Sequence, residues 1–469
     1  MSAEPAPKGL NAQLIKVWMT WGTRFLPFAD VASPELPLSR LLRLSLIQVS
    51  VGMSLVLLVG TLNRVMIVEL GVPATLVGIM LALPLLAAPF RALIGHKSDT
   101  HKSALGWRRV PYIYLGTMIQ FGGLAIMPFA LLVLAGAQEA YDERIWLGQP
   151  AAALAFLLVG AGIHTTQTVG LALATDLTEP EQQPNVVGLM YVMLLVGSIA
   201  AAFFFGWALG DFSQGRLIQV IQGSAVITIL LNFTALWKQE ARIPHYRQTA
   251  PTTPDPSFRE SWNLFIGKDK TVLRLIAVGL GTLAFSMSDI VLEPYGGEVL
   301  KLGVGTTTML SALMAGGSLM GFIYASHVLS LGADPFRMAS LGALIGLPAY
   351  GLIIFAAGSD TPELFTLGVA LAGIGTGLFG HGTLTATMQL APRGQVGIAM
   401  GAWGAVQATS QGVGATIGGV IRDLAKGVDM GLPMPAGAGG YGLIFTLELL
   451  FMVCTLAAMW PLMAREARA

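Results

Sequence analysis

The sequence predicts an all-α polytopic membrane protein of twelve transmembrane helices, built as two pseudosymmetric halves of six. Three observations carry this. Apolar residues make up 54% of the 469 and charged residues only 11%, with a mean hydropathy of +0.68, against roughly 25% charged in a soluble chain. Apolar runs of about 20 residues, the length a bilayer demands, recur along the whole chain. The chain also repeats itself: "LRLSLIQVSVG" at 42–52 resembles "LRLIAVGLGTL" at 273–283, "ELGV" at 69–72 matches "KLGV" at 301–304, and "VVGLMY" at 186–191 parallels "QVGIAM" at 395–400. Paired six-helix repeats are a common way of building transporters.

Residues 1–40 form a separate N-terminal segment. Leu10, Leu14, Val17, Trp18, Trp21 and Phe25 share one helical face, and Gln13, Lys16, Thr20 and Arg24 the other, until Pro27 ends the pattern. The segment reads as an amphipathic helix, either lying on the membrane surface or packed beneath the bundle. No short apolar core with a small-residue cleavage site is visible, so no cleaved leader is expected.

The spans are expected at 42–68, 74–95, 110–135, 151–175, 186–209 and 215–237 in the first half (41–237), and at 271–293, 306–330, 337–357, 363–390, 395–421 and 441–463 in the second (271–463). Between them, 238–270 is a polar linker whose Pro244, Pro251, Pro254 and Pro256 oppose helix. A short tail, 464–469, follows the last span. Of the 27 Lys and Arg, only Arg64, Arg144, Arg216, Lys301, Arg422 and Lys426 fall on the side away from the linker. The positive-inside rule then places the linker and both termini in the cytoplasm.

A net charge of +1 gives no case for nucleic-acid binding, and the single Cys454 excludes an intrachain disulfide or a multi-cysteine metal site. There is no Walker motif, nucleophile elbow, H-E-x-x-H or strand-borne G-x-G-x-x-G, so neither ATP coupling nor hydrolytic chemistry has visible apparatus and no enzyme is expected.

The loop after the second span reads "GHKSDTHKSALGWRRVPY" at 95–112. Its Gly95, Asp99, Gly106, Arg108 and Arg109 resemble the cytoplasmic signature of the major facilitator superfamily, with a spacing stretched by about four residues. Gly95 would let helix ends approach, and Asp99 would pair with an arginine or cap a helix.

Polar residues at membrane depth are costly and mark functional sites by default. Asp289 and Glu293 stand four apart on the seventh span, ahead of Pro294, while Asn63 and Arg64 lie near the same end of the first. Pseudosymmetry makes these spans face each other, so Arg64 is expected to neutralise Asp289 or Glu293. Two readings stay open, a proton or cation site and a structural ion pair.

Two histidines lie well inside the spans, while His327 is at the inner end of the eighth. His164 is central in the fourth, and aligning "ATDLTEPE" with "TMQLAPRG" puts His381 of the tenth opposite Thr168, one turn from His164 on the same face. Gly160 and Gly162 precede His164, and His381 sits in "GIGTGLFGHG" at 373–382. Such histidines either serve as hydrogen-bonded packing residues or, beside a glycine-smoothed face, accept a flat macrocycle whose metal they ligate axially.

Several stretches resemble one family closely: "FLPFADVASPELPLSRLLRLSLIQVSVGM" at 25–53, "GTLNRVMIVELGVPA" at 60–74, "APFRALIGHKSDTHKSALGWRRVPYI" at 88–113, "QFGGLAIMPFALL" at 120–132 and "DIVLEPYGGEVL" at 289–300. These are similar to the PucC/LhaA proteins, the bacteriochlorophyll delivery family within the major facilitator superfamily. The resemblance implies an assembly factor for light-harvesting complexes of purple bacteria, delivering bacteriochlorophyll to antenna polypeptides or chaperoning them. It implies a location in the inner, intracytoplasmic photosynthetic membrane. Antenna polypeptides are the expected partners, with the reaction centre, bacteriochlorophyll synthesis enzymes and membrane lipids as further ones. PucC-type members serve the peripheral antenna and LhaA-type members the core antenna, and the core type is slightly preferred here. His164 and His381 are then the candidate pigment ligands. A proton-coupled small-solute transporter and a pigment-free antenna scaffold are the alternatives.

Overall fold

A computed structural model describes residues 36–86, 106–134, 145–178, 183–240, 270–359, 361–390, 396–428 and 437–463, with isolated positions that include Arg91 and Ser98. The amphipathic helix expected before Pro27, the signature residues Gly95 and Asp99, and most of the linker lie outside the described residues.

Helix is the sole regular structure among the described residues. This follows from the solvent, because lipid cannot satisfy backbone N–H and C=O groups and a helix satisfies its own. In chain order the helices are α1 (Leu38–Glu69), α2 (Ala74–Leu86), α3 (Val110–Leu134), α4 (Ile145–Asp176), α5 (Gln183–Ala208), α6 (Gln214–Leu236), α7 in two pieces (Thr271–Ser286 and Leu292–Glu298), α8 (Val304–Ser330), α9 (Pro335–Ser359), α10 (Pro362–Leu390), α11 (Val396–Leu424) and α12 (Gly439–Met459). Nine of these are long and apolar enough, among the described residues, to cross a membrane by length and composition. The described α2 and the first piece of α7 are shorter apolar helices.

Two departures from regular helix matter for the site. The second half of α1 is π-helical over Val56–Leu62 and Val65–Glu69, a winding concentrated at functional positions. The seventh span, expected to run unbroken over 271–293, is interrupted between Ser286 and Leu292.

The packing shows the repeat directly. Within the first half, α1 packs on α4, α5 and α6, while α3 packs on α4 and α6. Adding six to each label gives contacts also present: α7 on α10, α11 and α12, and α9 on α10 and α12. The halves meet along two seams that exchange under the same operation, α2 against α11 and α5 against α8.

Both seams are lined by small residues, which let backbones approach where lipid provides no hydrophobic drive between helices. A Cβ on Gly78 of α2 would sit 2.7 Å from the Ala415 carbonyl oxygen of α11, and one on Gly305 of α8 would sit 2.5 Å from that of Gly206 in α5. Gly419 of α11 lies against the Ala74 carbonyl in the same way. At the end of the bundle away from the linker, side chains tie the halves together. The Asp423 carboxylate of α11 accepts from the Thr75 backbone N–H and hydroxyl, both at 2.7 Å, at the start of α2. Beside it, Arg422 donates to Glu298 at 2.5 Å, and the Tyr441 hydroxyl donates to the same carboxylate at 2.8 Å.

Candidate functional site

The break in α7 is the most chemically loaded place in the described bundle. Opening a helix at membrane depth frees backbone groups that must find partners inside the protein. The Ser288 N–H donates to Glu448 Oε1 of α12 at 2.7 Å, and the Ser288 hydroxyl lies 3.1 Å from the Tyr350 hydroxyl of α9. The Asp289 carbonyl accepts from Asn63 Nδ2 of α1 at 3.1 Å. Three other helices thus hold the break open, one of them from the opposite half.

Three carboxyl groups gather around it. Glu448 is fully buried, and its second oxygen has no hydrogen-bond partner. Asp289 is half-buried and close enough to Glu448 for the two to interact electrostatically. Glu293 is buried, accepts from the Ser311 hydroxyl of α8, and likewise keeps one oxygen unpartnered. Glu293 also presses on the π-helical part of α1, where a Cβ on Gly60 would lie 2.6 Å from its Oε1.

The structure alters two expectations here. Asp289 and Glu293 do not share a helical face, because Asp289 sits in the break and Glu293 in the short helix beyond it. The Glu293 carboxylate turns toward α1 and α8. Arg64, expected to neutralise one of them, forms its ion pair with Glu69 instead and donates to the Leu302 carbonyl at 3.2 Å. The cause is the winding of α1: an α-helix turns residues five apart to different faces, whereas π-helix, with its i to i+5 bonds, brings them together.

At the linker end, the signature arginines are positioned as a lock on the first half. Gly106 adopts φ +78°, the left-handed region that glycine enters freely, and so turns the chain into α3. Glu240, just past α6, accepts from the N–H groups of Arg108, Arg109 and Val110 at 2.7, 3.0 and 2.9 Å and caps that helix. Asp176, at the end of α4, receives Arg108 Nη2 at 2.6 Å and Arg109 Nε at 2.9 Å. Arg109 is buried and also donates to the Ser98 hydroxyl at 2.5 Å.

The two histidines occupy corresponding places, but the structure does not gather them into one pocket. His164 lies on α4, which packs on α2 and α3, and His381 on α10, which packs on α8 and α9. Both ring nitrogens of His164 are buried without a hydrogen-bond partner, as is Nδ1 of His381. The Pro84 backbone is near enough to His164 to interact with it, but outside hydrogen-bond geometry. The Phe322 ring of α8 lies 4.1 Å from the imidazole of His381, centroid to centroid. The glycine faces expected to receive a macrocycle are mostly filled by neighbouring helices. Gly160 abuts Pro84 of α2, Gly162 abuts Gln120 of α3, and Gly373 and Gly377 abut Met314 and Ser318 of α8. Glycine on these faces serves close helix packing. Gly380, next to His381, is the exception, with no atom within 4 Å of a Cβ placed there. His381 thus combines a buried, unpartnered Nδ1 with an unfilled glycine next to it in the chain, whereas both glycine positions before His164 are filled.

Sequence reasoning passed over Glu448, Tyr350, Arg91, Asp176 and Asp423. Glu448 had a usable signal, since it is the sole charge in the span 441–463. Asp176 and Asp423 sit at helix ends, where a carboxylate is ordinary, and only their partners give them meaning.

A family profile described as PUCC protein matches residues 61–467. "Protein PucC" of Rhodovulum sulfidophilum is 62% identical over 408 residues, covering 87% of this chain and 90% of its own. "Protein PucC" of Rhodobacter capsulatus is 53% identical over 465 residues, covering 98% and 100%. Among solved structures, a point mutant of the nucleoside transporter NupG superposes with a TM-score of 0.67 at 14% identity, covering 90% of this chain and 98% of that one. That likeness concerns the fold alone, and it is the fold of major facilitator transporters. On the extent of the profile match and the identities over nearly its whole length, the chain belongs to the PUCC protein family and is built on the major facilitator fold.

Proposed function

We propose that this protein is an assembly factor for light-harvesting antenna complexes, carrying bacteriochlorophyll to antenna polypeptides and chaperoning their insertion. Family membership carries the reading, and the unpartnered imidazole nitrogens at membrane depth support it. The relatives at 62% and 53% identity bear the PucC name, which weighs toward the peripheral antenna over the core antenna preferred on sequence alone. The linker and both termini would face the cytoplasm of the intracytoplasmic photosynthetic membrane, following the charge asymmetry. The protein acts as a carrier rather than a catalyst. His381 would hold the cargo through its ring magnesium, with Phe322 fixing the imidazole plane and Gly380 leaving room for the macrocycle.

The test is gentle purification of the full chain from a phototrophic host, followed by a near-infrared spectrum. Bound pigment is expected in the wild type, with most of it lost in His381→Phe and a smaller loss in His164→Phe. Pigment-free protein, together with normal antenna levels in a deletion strain, overturns the reading.

One observation favours a second reading. The unpartnered oxygens of Glu293 and Glu448 beside a broken helix have the chemistry of proton coupling to solute movement. That reading expects a pH-gradient-dependent flux in reconstituted vesicles that Asp289→Asn abolishes. Antenna assembly undiminished in Asp289→Asn, with no flux in the wild type, would end it.

A further inference from the structure

Arg91 belongs to the second span, and its guanidinium reaches across to α4. Its Nε donates to the Thr168 hydroxyl at 3.0 Å and its Nη2 to Gln167 Oε1 at 2.8 Å. Both partners are neutral. No carboxylate pairs with Arg91 among the described residues, in contrast to Arg64, Arg108, Arg109 and Arg422. His164, one turn along the same face of α4, and Tyr191 of α5 are the other groups in electrostatic reach. Neither carries a compensating negative charge in its ordinary neutral form, and both ring nitrogens of His164 lack partners. Thr168 lies two turns inside the Asp176 end of α4, about 12 Å along the axis. A cation placed there is costly unless a negative charge meets it. The guanidinium has five N–H groups in a planar fork suited to an oxyanion, and the bonds to Thr168 and Gln167 use two of them.

We propose that Arg91, Gln167, Thr168 and His164 form a binding site for an oxyanion on an apolar body, a carboxylate or phosphate for which Arg91 is the counter-ion. Gln167 and Thr168 hold the fork in place through Nε and Nη2, leaving Nη1 for the ligand. His164 supplies a neutral imidazole to the part of the ligand beyond the anion, as hydrogen-bond partner. Two amphiphiles share this chemistry: a magnesium tetrapyrrole whose propionate is still a free acid, and an anionic phospholipid. In the tetrapyrrole case the reaction that consumes the ligand would be an esterification of that acid. Only this arm rests on the pigment reading, and the site itself stands without it.

The experiment uses the full chain in detergent and in nanodiscs. In the first arm, binding of chlorophyllide a is compared with that of its phytyl ester chlorophyll a by thermophoresis. In the second, retention of phosphatidylglycerol is compared with that of phosphatidylcholine by native mass spectrometry. A preference for the acid in at least one arm of about ten-fold or more is expected, the scale of one charge-assisted hydrogen bond. Arg91→Gln should abolish that preference, and Arg91→Lys should keep part of it. A preference confined to one arm assigns the source of the anion. Absence of preference in both arms of the wild type overturns the proposal and requires no variant to fold. A preference unchanged in Arg91→Gln also overturns it. Pigment retained through His381 in the near-infrared spectrum is a separate readout, so failure of the carrier reading and failure of this site are told apart.

Discussion

Asp423→Ala is expected to lower thermal stability by about 2–3 kcal/mol and to loosen the end of the bundle where α2 meets α11. Asp423 acts as an N-cap supplied from the other half of the molecule. Its carboxylate takes the N–H of Ala74 at 3.3 Å, and the N–H and hydroxyl of Thr75 at 2.7 Å each. Those N–H groups have no carbonyl of their own helix to bond, and a negative charge at a helix start gains from the macrodipole as well. The side chain is 22% exposed, which keeps the figure below that of a fully buried pair. Asp423→Asn keeps an acceptor while losing the charge, and should cost about half as much. Thermal unfolding in detergent gives the magnitude, and hydrogen exchange at residues 74–77 gives the location. Unchanged exchange there in Asp423→Ala would mean that close packing of Gly78 and Gly419 alone holds the seam.

The same latch shows what a sequence conveys and what it withholds. Spans, repeat and charge asymmetry were legible because each is a property of composition along the chain, and the packing then followed the six-shift symmetry. The pairing of Asp423 with Thr75 spans 348 positions, and no local periodicity encodes it. The Arg64–Glu69 pair is local, yet α-helical spacing conceals it, because π-helix brings together residues that α-helix turns apart. The break in α7 did leave a trace. Pro294 has no N–H to offer Ile290, and its ring crowds that carbonyl, so a helix cannot run regularly through both. The restart at Leu292 places Pro294 in a first turn, where proline is tolerated. The glycines around His164 and His381 misled in the other direction. A smooth helix face suits a flat ligand and a neighbouring backbone equally well, and at six of the seven glycines the neighbouring helix takes the space. His381 stands out in the sequence as a histidine inside a glycine-rich span; Arg91 does not, because its interest lies in the absence of a paired carboxylate among the described residues.

Arg109→Ala should be the most damaging change at the linker end, at about 2–3 kcal/mol, whereas Arg108→Ala should cost under about 1 kcal/mol. The two arginines are neighbours in the chain and share Asp176, so sequence alone gives no ground for ranking them. Burial does. The Arg108 side chain is 40% exposed and that of Arg109 only 5%. Water screens the first pair and replaces it cheaply when it is lost. Loss of Arg109 removes a second donor from Asp176, leaves the Ser98 hydroxyl without this bond, and opens a space between Ser98, the start of α3 and the end of α4. Asp176 is itself 32% exposed, which holds the cost below the 3–5 kcal/mol typical of a fully buried pair. Arg109→Lys should fall between the two alanine variants, because an ammonium cannot reproduce a fork that reaches Asp176 and Ser98 together. Thermal unfolding of the three variants checks the ranking. Equal losses for Arg108→Ala and Arg109→Ala would show that the pair acts through charge in the loop, and that the buried geometry at Ser98 and Asp176 contributes nothing beyond it.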